Sequence, residues 1–224
     1  MNRLQRELLR LYGTDGTAPP QRALVLEVRQ PADWAATSAI WQGVQGALGL
    51  PPPAIAVNGK DGYQLWFSLS ETLAPADGHA FLVGLQQLYL AATATDRCTV
   101  WPAPGDSTDW PANPQLMKED HWSAFVTPDL APIFAADPWL DLPPGEDAQA
   151  DILQGLRSIS TTDFQSALLR LQAQPSSTET PKTNSPPPRE GWEPRAFLQS
   201  VMNDPDAPLA LRIEAAKALL PCER

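Results

Sequence analysis

The stretch from Ala54 to Leu69 constrains this chain more than any other. Ala54-Ile55-Ala56-Val57 is an apolar run. Asn58-Gly59-Lys60-Asp61-Gly62 follows with residues that tolerate positive φ, and Tyr63-Gln64-Leu65-Trp66-Phe67-Ser68-Leu69 alternates and is rich in aromatics. Asn, Asp and Gly make tight turns, while Tyr, Trp and Phe fill a pleated surface. The unit reads as a β-hairpin with its tip at residues 58–62. A hairpin this apolar must bury its faces against other elements, so the chain is expected to build a core around it.

The flanking sequence supplies those elements. Arg3 to Tyr12 reads as a helix with Leu4, Leu8 and Leu11 on one face, and Gly13 to Pro20 as a loop. Ala23-Leu24-Val25-Leu26-Glu27-Val28 reads as a short buried strand. A helix is expected from Pro31-Ala32-Asp33 to Leu48, with Trp34, Ser38, Trp41 and Gln45 on one stripe beside Ile40, Val44 and Leu48; Gly49 and three prolines end it. Ala76 to Ala91 is a further helix, Cys98 to Trp101 a short strand, and His121 to Val126 another strand. Residues 129–144 mix apolar residues with Pro and Asp and read as an irregular cover. Two helical pieces are expected between Gln149 and Leu171, the second capped within Ser160-Thr161-Thr162-Asp163. The order predicts an α+β fold in two layers, one sheet and one layer of helices, over residues 1–171. A Pro, Ser and Thr-rich linker is expected at 172–189, then a helical hairpin within 190–224 built from Pro194–Met202 and Pro208–Leu220.

Charge and composition exclude several classes. The 224 residues carry a net charge of -10, with 26 acidic against 16 basic residues. Nucleic-acid affinity comes largely from Lys and Arg neutralising phosphates, so a broad polyanion-binding face is disfavoured. Between Asp96 and Asp151 eleven acids face only Arg97 and Lys118. That segment reads as a solvated acidic surface, or as one that meets a basic partner. No apolar run reaches the roughly 20 residues that span a bilayer, and the amphipathic start lacks a signal-peptide pattern. A cytoplasmic protein with no membrane partner is expected. Cys98 and Cys222 lie far apart without metal-ligand spacing, so reduced thiols and no structural zinc follow. His79 and His121 are isolated, and no catalytic triad can be assembled from them.

Two resemblances sharpen the expectations. Leu24-Val25-Leu26-Glu27-Val28-Arg29, then a helix, Leu48-Gly49-Leu50 and Asn58-Gly59-Lys60-Asp61-Gly62-Tyr63-Gln64-Leu65-Trp66-Phe67, resembles the core of archaeo-eukaryotic primase-polymerases. It is most similar to the polymerase domain of bacterial DNA-repair ligases. The resemblance covers Ala23 to Trp101, less than half the chain. In that family an hhhDhD strand supplies two metal-binding aspartates, a Ser-Gly-x-x-Gly-x-His turn grips the nucleotide, and a later strand adds a third carboxylate. Here Glu27 stands at the first acid and remains a possible metal ligand, whereas Arg29 replaces the second. Gln64 replaces the His and Asn58 the Ser, and no acid stands near Val100 or Trp101. Two-metal phosphoryl transfer needs carboxylates to hold and neutralise the ions, so the departures imply lost polymerisation. No cofactor is expected, with Mg²⁺ required only if residual activity persists.

What the resemblance leaves is a pocket. The backbone N–H groups of the glycine turn at Asn58, Gly59 and Gly62, together with Lys60, Arg29 and Gln64, would hold the phosphate of a nucleotide or nucleic-acid end without metal. The plain alternative is that the glycines only make the turn, Lys60 is solvated, Gln64 faces the other side, and Arg29 pairs with Glu27 two residues away. Separately, Arg195-Ala196-Phe197-Leu198, Val201-Met202-Asn203-Asp204-Pro205 and Arg212 to Pro221 resemble a helical module of phage small-terminase-type proteins. This suggests a phage or mobile-element origin and a protein partner for the C-terminal helices. Three functions stand open at this point: a non-catalytic nucleotide-binding protein, an acidic protein–protein interaction module, and an active nucleotidyltransferase with displaced carboxylates.

Overall fold

The computed structural model describes residues 1–90, 97–103 and 110–173, all within the unit Met1–Thr178. The expected C-terminal hairpin, Cys222 and most of the expected linker lie outside the described residues. The first two linker positions, Gln172 and Ala173, belong to a helix.

Six strands form one sheet: β1 (Ala23–Arg29), β2 (Ala54–Val57), β3 (Gly62–Ser68), β4 (Cys98–Trp101), β5 (Gln115–Lys118) and β6 (His121–Val126). Their spatial order is β4-β1-β3-β2-β6-β5, and every pairing is antiparallel. The expected hairpin is β2–β3, with Val57 opposite Tyr63 and Ala54 opposite Trp66. It lies at the centre of the sheet, which is why nearly every residue in it is buried. Five α-helices accompany the sheet among the described residues: α1 (Arg3–Tyr12), α2 (Trp34–Gly46), α3 (Pro75–Tyr89), α4 (Glu146–Gln154) and α5 (Thr161–Ala173).

The helices take both faces. Leu24, Leu26 and Val28 of β1, with Tyr63, Leu65 and Phe67 of β3, meet Ile40 and Val44 of α2, Phe81, Leu82 and Leu85 of α3, and Phe164 and Ala167 of α5. The opposite face carries Val25, Ala56, Trp66 and Phe125 against Leu4, Leu8, Leu11 and Tyr12 of α1 and Leu153 of α4. Tyr12, Trp66 and Phe125 form an aromatic cluster there, with ring centroids 5.4–6.4 Å apart. The two layers expected from the element order therefore become three, because α1 and α4 cover a face that the order left open. The buried stripe of α2 is also shifted: Thr37, Ile40 and Val44 face inward, and Trp34 and Trp41 are only partly buried.

Local chemistry explains the boundaries. Asn2 and Gln5 form a capping box at the start of α1, and Gly13 closes the helix at φ 70°. Asp33 caps α2 by accepting from the Ala36 N–H at 2.9 Å, and Ser160 Oγ accepts the Asp163 N–H ahead of α5. Arginines satisfy helix C-termini. Arg22 donates to the Leu9 and Arg10 carbonyls, Arg10 to those of Leu153 and Leu156, and Arg170 to those of Ala47 and Leu48. Where β5 has ended, the buried Gln149 of α4 takes over its pairing, accepting from Phe125 N at 2.8 Å and donating to Phe125 O at 3.0 Å. The acid-rich cover at 129–144 is less irregular than expected. It contains a short 3-10 helix at Ala131–Ala135, and Leu140 bridges to Trp122 of β6.

The helix-covered part of the second face ends within the sheet. On β1 the outward series runs Ala23, Val25, Glu27, Arg29, apolar at one end and charged at the other. On β3 it runs from Trp66 to Gln64 in the same direction. The polar half of this face is left for a site.

Candidate functional site

The register of β1 with its neighbours assembles the site. Glu27 lies opposite Gln64 of β3 and opposite Thr99 of β4, and Arg29 lies opposite Gly62. Directly opposed residues share a face, so Gln64 faces the same side as Glu27 and Arg29, contrary to the plain alternative. Both Glu27 and Gln64 are nearly fully buried, at 7% and 4% exposure.

Burial obliges these polar groups to satisfy one another. Gln64 Nε2 donates to Glu27 Oε2 at 2.7 Å. Gln64 Oε1 accepts from Trp66 Nε1 at 3.0 Å and from Asn113 Nδ2 at 2.7 Å. The carboxylate sets the direction of this chain, since it can only accept. Gln64 must turn its nitrogen to Glu27 and its oxygen to Asn113. That holds even though inverting Asn113 would bring its nitrogen to Ala112 O (3.1 Å) and Ser123 Oγ (2.6 Å). Gln64 is thus the hub of a buried network, with both its amide nitrogen and its amide oxygen bonded.

The turn at the hairpin tip uses its N–H groups internally. Asn58 Oδ1 accepts from the N–H groups of Lys60, Asp61 and Gly62, each at 2.9 Å. Asn58 Nδ2 donates to Asp61 Oδ1 at 3.0 Å. The Gly59 N–H donates to Pro138 O at 3.0 Å, and Asn58 N–H to Gly62 O at 3.0 Å. The glycines are required by space. A Cβ on Gly59, at φ +75°, would lie 2.5 Å from Met117 Cγ and 2.8 Å from Ser123 N, and one on Gly62 2.5 Å from Val28 O. In this conformation the expectation that Asn58, Gly59 and Gly62 offer N–H groups to a phosphate is corrected: those groups are already bonded within the protein.

Two cations remain at the site. The Arg29 side chain is 39% exposed, its Nε 4.0 Å from Glu27 Oε1, and that Nε is buried without a hydrogen-bond partner. At this distance the Glu27–Arg29 pair is loose, not a closed hydrogen-bonded bridge. Lys60 is exposed at the tip. Both border a cavity of about 380 Å³ that also takes in Glu27, Asn58, Asp61 and Gln64, with Trp101 and Trp110 as aromatic walls. By contrast, Arg97, a neighbour on the same edge, spends its guanidinium on the Arg29 and Pro31 carbonyls at 3.1 Å. A second cavity of about 430 Å³, between α1, the 14–20 loop and Trp110–Pro114, carries Asp15 and Glu146 on its lining and no Lys or Arg. Thr17 donates twice to Asp15 there, which holds that carboxyl below the ordinary value.

The donor set beside Glu27 does not fit a pair of divalent ions. Its strand neighbours are a carboxamide, a threonine and a guanidinium, and the other carboxylate on the cavity, Asp61, accepts from Asn58 Nδ2, where two-ion chemistry needs several carboxylates converging on the ions. Glu27 is an acceptor inside a hydrogen-bond network through Oε2. Among the described residues no three His, Cys, Asp or Glu side chains come together. His121 stacks on Trp139 with ring centroids 4.0 Å apart, so it serves packing.

Sequence reasoning missed Trp101, Trp110 and Asn113 as members of the site. Trp101 shows its face only through the register that sets it beside Val25. Trp110 and Asn113 sit in a turn-rich segment that no periodicity places. None of the described helices is long and apolar enough to cross a membrane. Compared with known proteins, the chain matches no family model, no curated protein and no solved structure.

Proposed function

We propose that this chain is a non-catalytic, primase-polymerase-like protein that binds a nucleotide or nucleic-acid end in the cavity beside β1 and the β2–β3 turn. The observation that carries the reading is the convergence of Arg29, Lys60, Gln64, Glu27 and Asn58 on one cavity with two tryptophans. Guanidinium and ammonium groups recognise phosphate, and indole faces stack on bases. Arg29 and Lys60 take the phosphate, and Trp101 and Trp110 the base. The Glu27–Gln64–Asn113 network holds the floor rigid. The proposal keeps the phage or mobile-element setting, a cytoplasmic location and a helical hairpin at 190–224 that meets a protein partner.

A thermal-shift screen with nucleoside mono- and triphosphates, with and without Mg²⁺, tests it. Ligand at 100 times its Kd adds about 2.7 kcal/mol of stability. The midpoint should therefore rise without divalent ions, and Arg29→Ala or Lys60→Ala should abolish the rise. No shift with any nucleotide contradicts the proposal. That result would favour the second reading, an acidic interaction module. The exposed Leu130, Ile133 and Leu142 within the acid-rich stretch support that reading.

A further inference from the structure

The cavity of about 430 Å³ between α1, the 14–20 loop and residues 110–114 has no part in the proposed function, and its chemistry differs from that of its neighbour. Leu4 and Leu8 of α1 and the indoles of Trp66 and Trp110 give it apolar surface, and prolines of the two loops complete the wall. Volume and lining are those of a small-molecule site, where an apolar surface binds and a few polar groups fix orientation. The charged groups are Asp15 from the loop and Glu146 from the first turn of α4. Among the described residues no Lys or Arg lines the cavity, and no ion pair reaches either carboxylate. Arg3 and Arg10 of α1 are spent elsewhere, on Asp151 at 2.6 Å and on Glu7 at 2.7 Å.

Asp15 is prepared for a cation. The Thr17 N–H and hydroxyl both donate to its Oδ1, at 3.0 and 2.6 Å. Those bonds orient the carboxylate, favour its ionised form and leave Oδ2 without a donor among the described residues. Anions without counter-ions beside an apolar, indole-bearing floor select for a positive charge carried on an apolar body. A neutral molecule of the same shape gains only the floor, and an anion is repelled.

We infer that this cavity binds a small organic cation, an amine or guanidinium on an aromatic or aliphatic body, with its charge set against Asp15 and Glu146 and its body against Leu4, Leu8, Trp66 and Trp110. The indoles add cation–π attraction where the charge lies over a ring face. The inference is independent of nucleotide binding, whose cations Arg29 and Lys60 line the other cavity.

The test titrates the full chain with phenethylamine, its neutral analogue phenylethanol and the anionic phenylpropionate, followed by calorimetry and by amide ¹H–¹⁵N shifts. Two partly exposed ion pairs at about threefold each should make the amine bind about tenfold more tightly than the alcohol, with the acid weaker still. Shifts should fall at Gly16, Thr17, Glu146 and the Trp110 indole. Asp15→Asn keeps the Oδ1 acceptor for Thr17, and Glu146→Gln keeps side-chain length, so both variants should fold. Each should weaken the amine about threefold and leave the alcohol unchanged, and the double variant should bind the two alike. An amine that binds no better than the alcohol overturns the inference, as does a preference that survives in the double variant. Shifts confined to other residues, or no saturable amine binding by wild type, overturn it as well.

Discussion

Replacing Gln64 by Met keeps the length of the side chain and removes its polar end, which makes it a direct probe of the site floor. Three hydrogen bonds are lost: one to the Glu27 carboxylate, one from Trp66 and one from Asn113. A bond to a charged group is worth roughly 1.5–3 kcal/mol and each neutral one about 1 kcal/mol. The expected loss is therefore about 3–5 kcal/mol. It is dominated by the desolvated Glu27 carboxylate, left with only the 4.0 Å contact to Arg29. For a domain of this size that corresponds to roughly a 10 °C fall in Tm. Urea unfolding followed by tryptophan fluorescence reads it as a lower midpoint at unchanged slope. A double variant, Glu27→Leu with Gln64→Met, should recover part of the loss, because removing both partners costs less than orphaning one. A loss under about 1 kcal/mol in the single variant would refute the reasoning. Gln64 would then be a group held in reserve for ligand.

Other perturbations follow from the same geometry. Gly59→Ala combines a left-handed φ with a Cβ driven against Met117 and the Ser123 backbone, and should cost about 2–4 kcal/mol by urea unfolding. Burial pushes the Tyr63 hydroxyl up from 10.0 to about 12 and raises that of Tyr12 as well. The folded state therefore keeps protons that the unfolded chain releases near 10. Stability from these groups is intact below about pH 10 and is lost as pH rises through the folded values. Tyr63→Phe should remove its share of that slope between pH 10 and about 12 in denaturation curves taken at each pH.

The hairpin, β1, β6 and α1 were legible because each carries its period openly: alternation or an apolar run bounded by turn residues, and Leu4, Leu8 and Leu11 on one helix face. The expected bounds of α3 differ by one or two residues, Pro75–Tyr89 against 76–91, since Pro at the first turn replaces a side-chain cap. β5 left no signal. Gln115-Leu116-Met117-Lys118 is mostly exposed, and its place comes from β6 rather than from its own composition. The third layer was missed for a similar reason. α4 begins at Glu146, ahead of the expected Gln149, and its docking depends on Gln149 reaching the Phe125 backbone, a contact across 24 residues. At the site, the shared face of Glu27 and Arg29 followed from strand period, whereas the side that Gln64 takes was left open until the register set it opposite Glu27. The role of Asn58 did not, because only coordinates reveal that three N–H groups meet its side chain. The tryptophan walls were hidden by lying in a strand end and in a turn-rich segment.

Nucleotide affinity in the absence of divalent ions, measured by calorimetry on wild type and on Arg29→Ala, goes most directly to the assignment of the cavity. Saturable binding by wild type, lost when Arg29 is removed and unaffected by added Mg²⁺, is the predicted result. Binding that requires Mg²⁺, or that survives in Arg29→Ala, would contradict it.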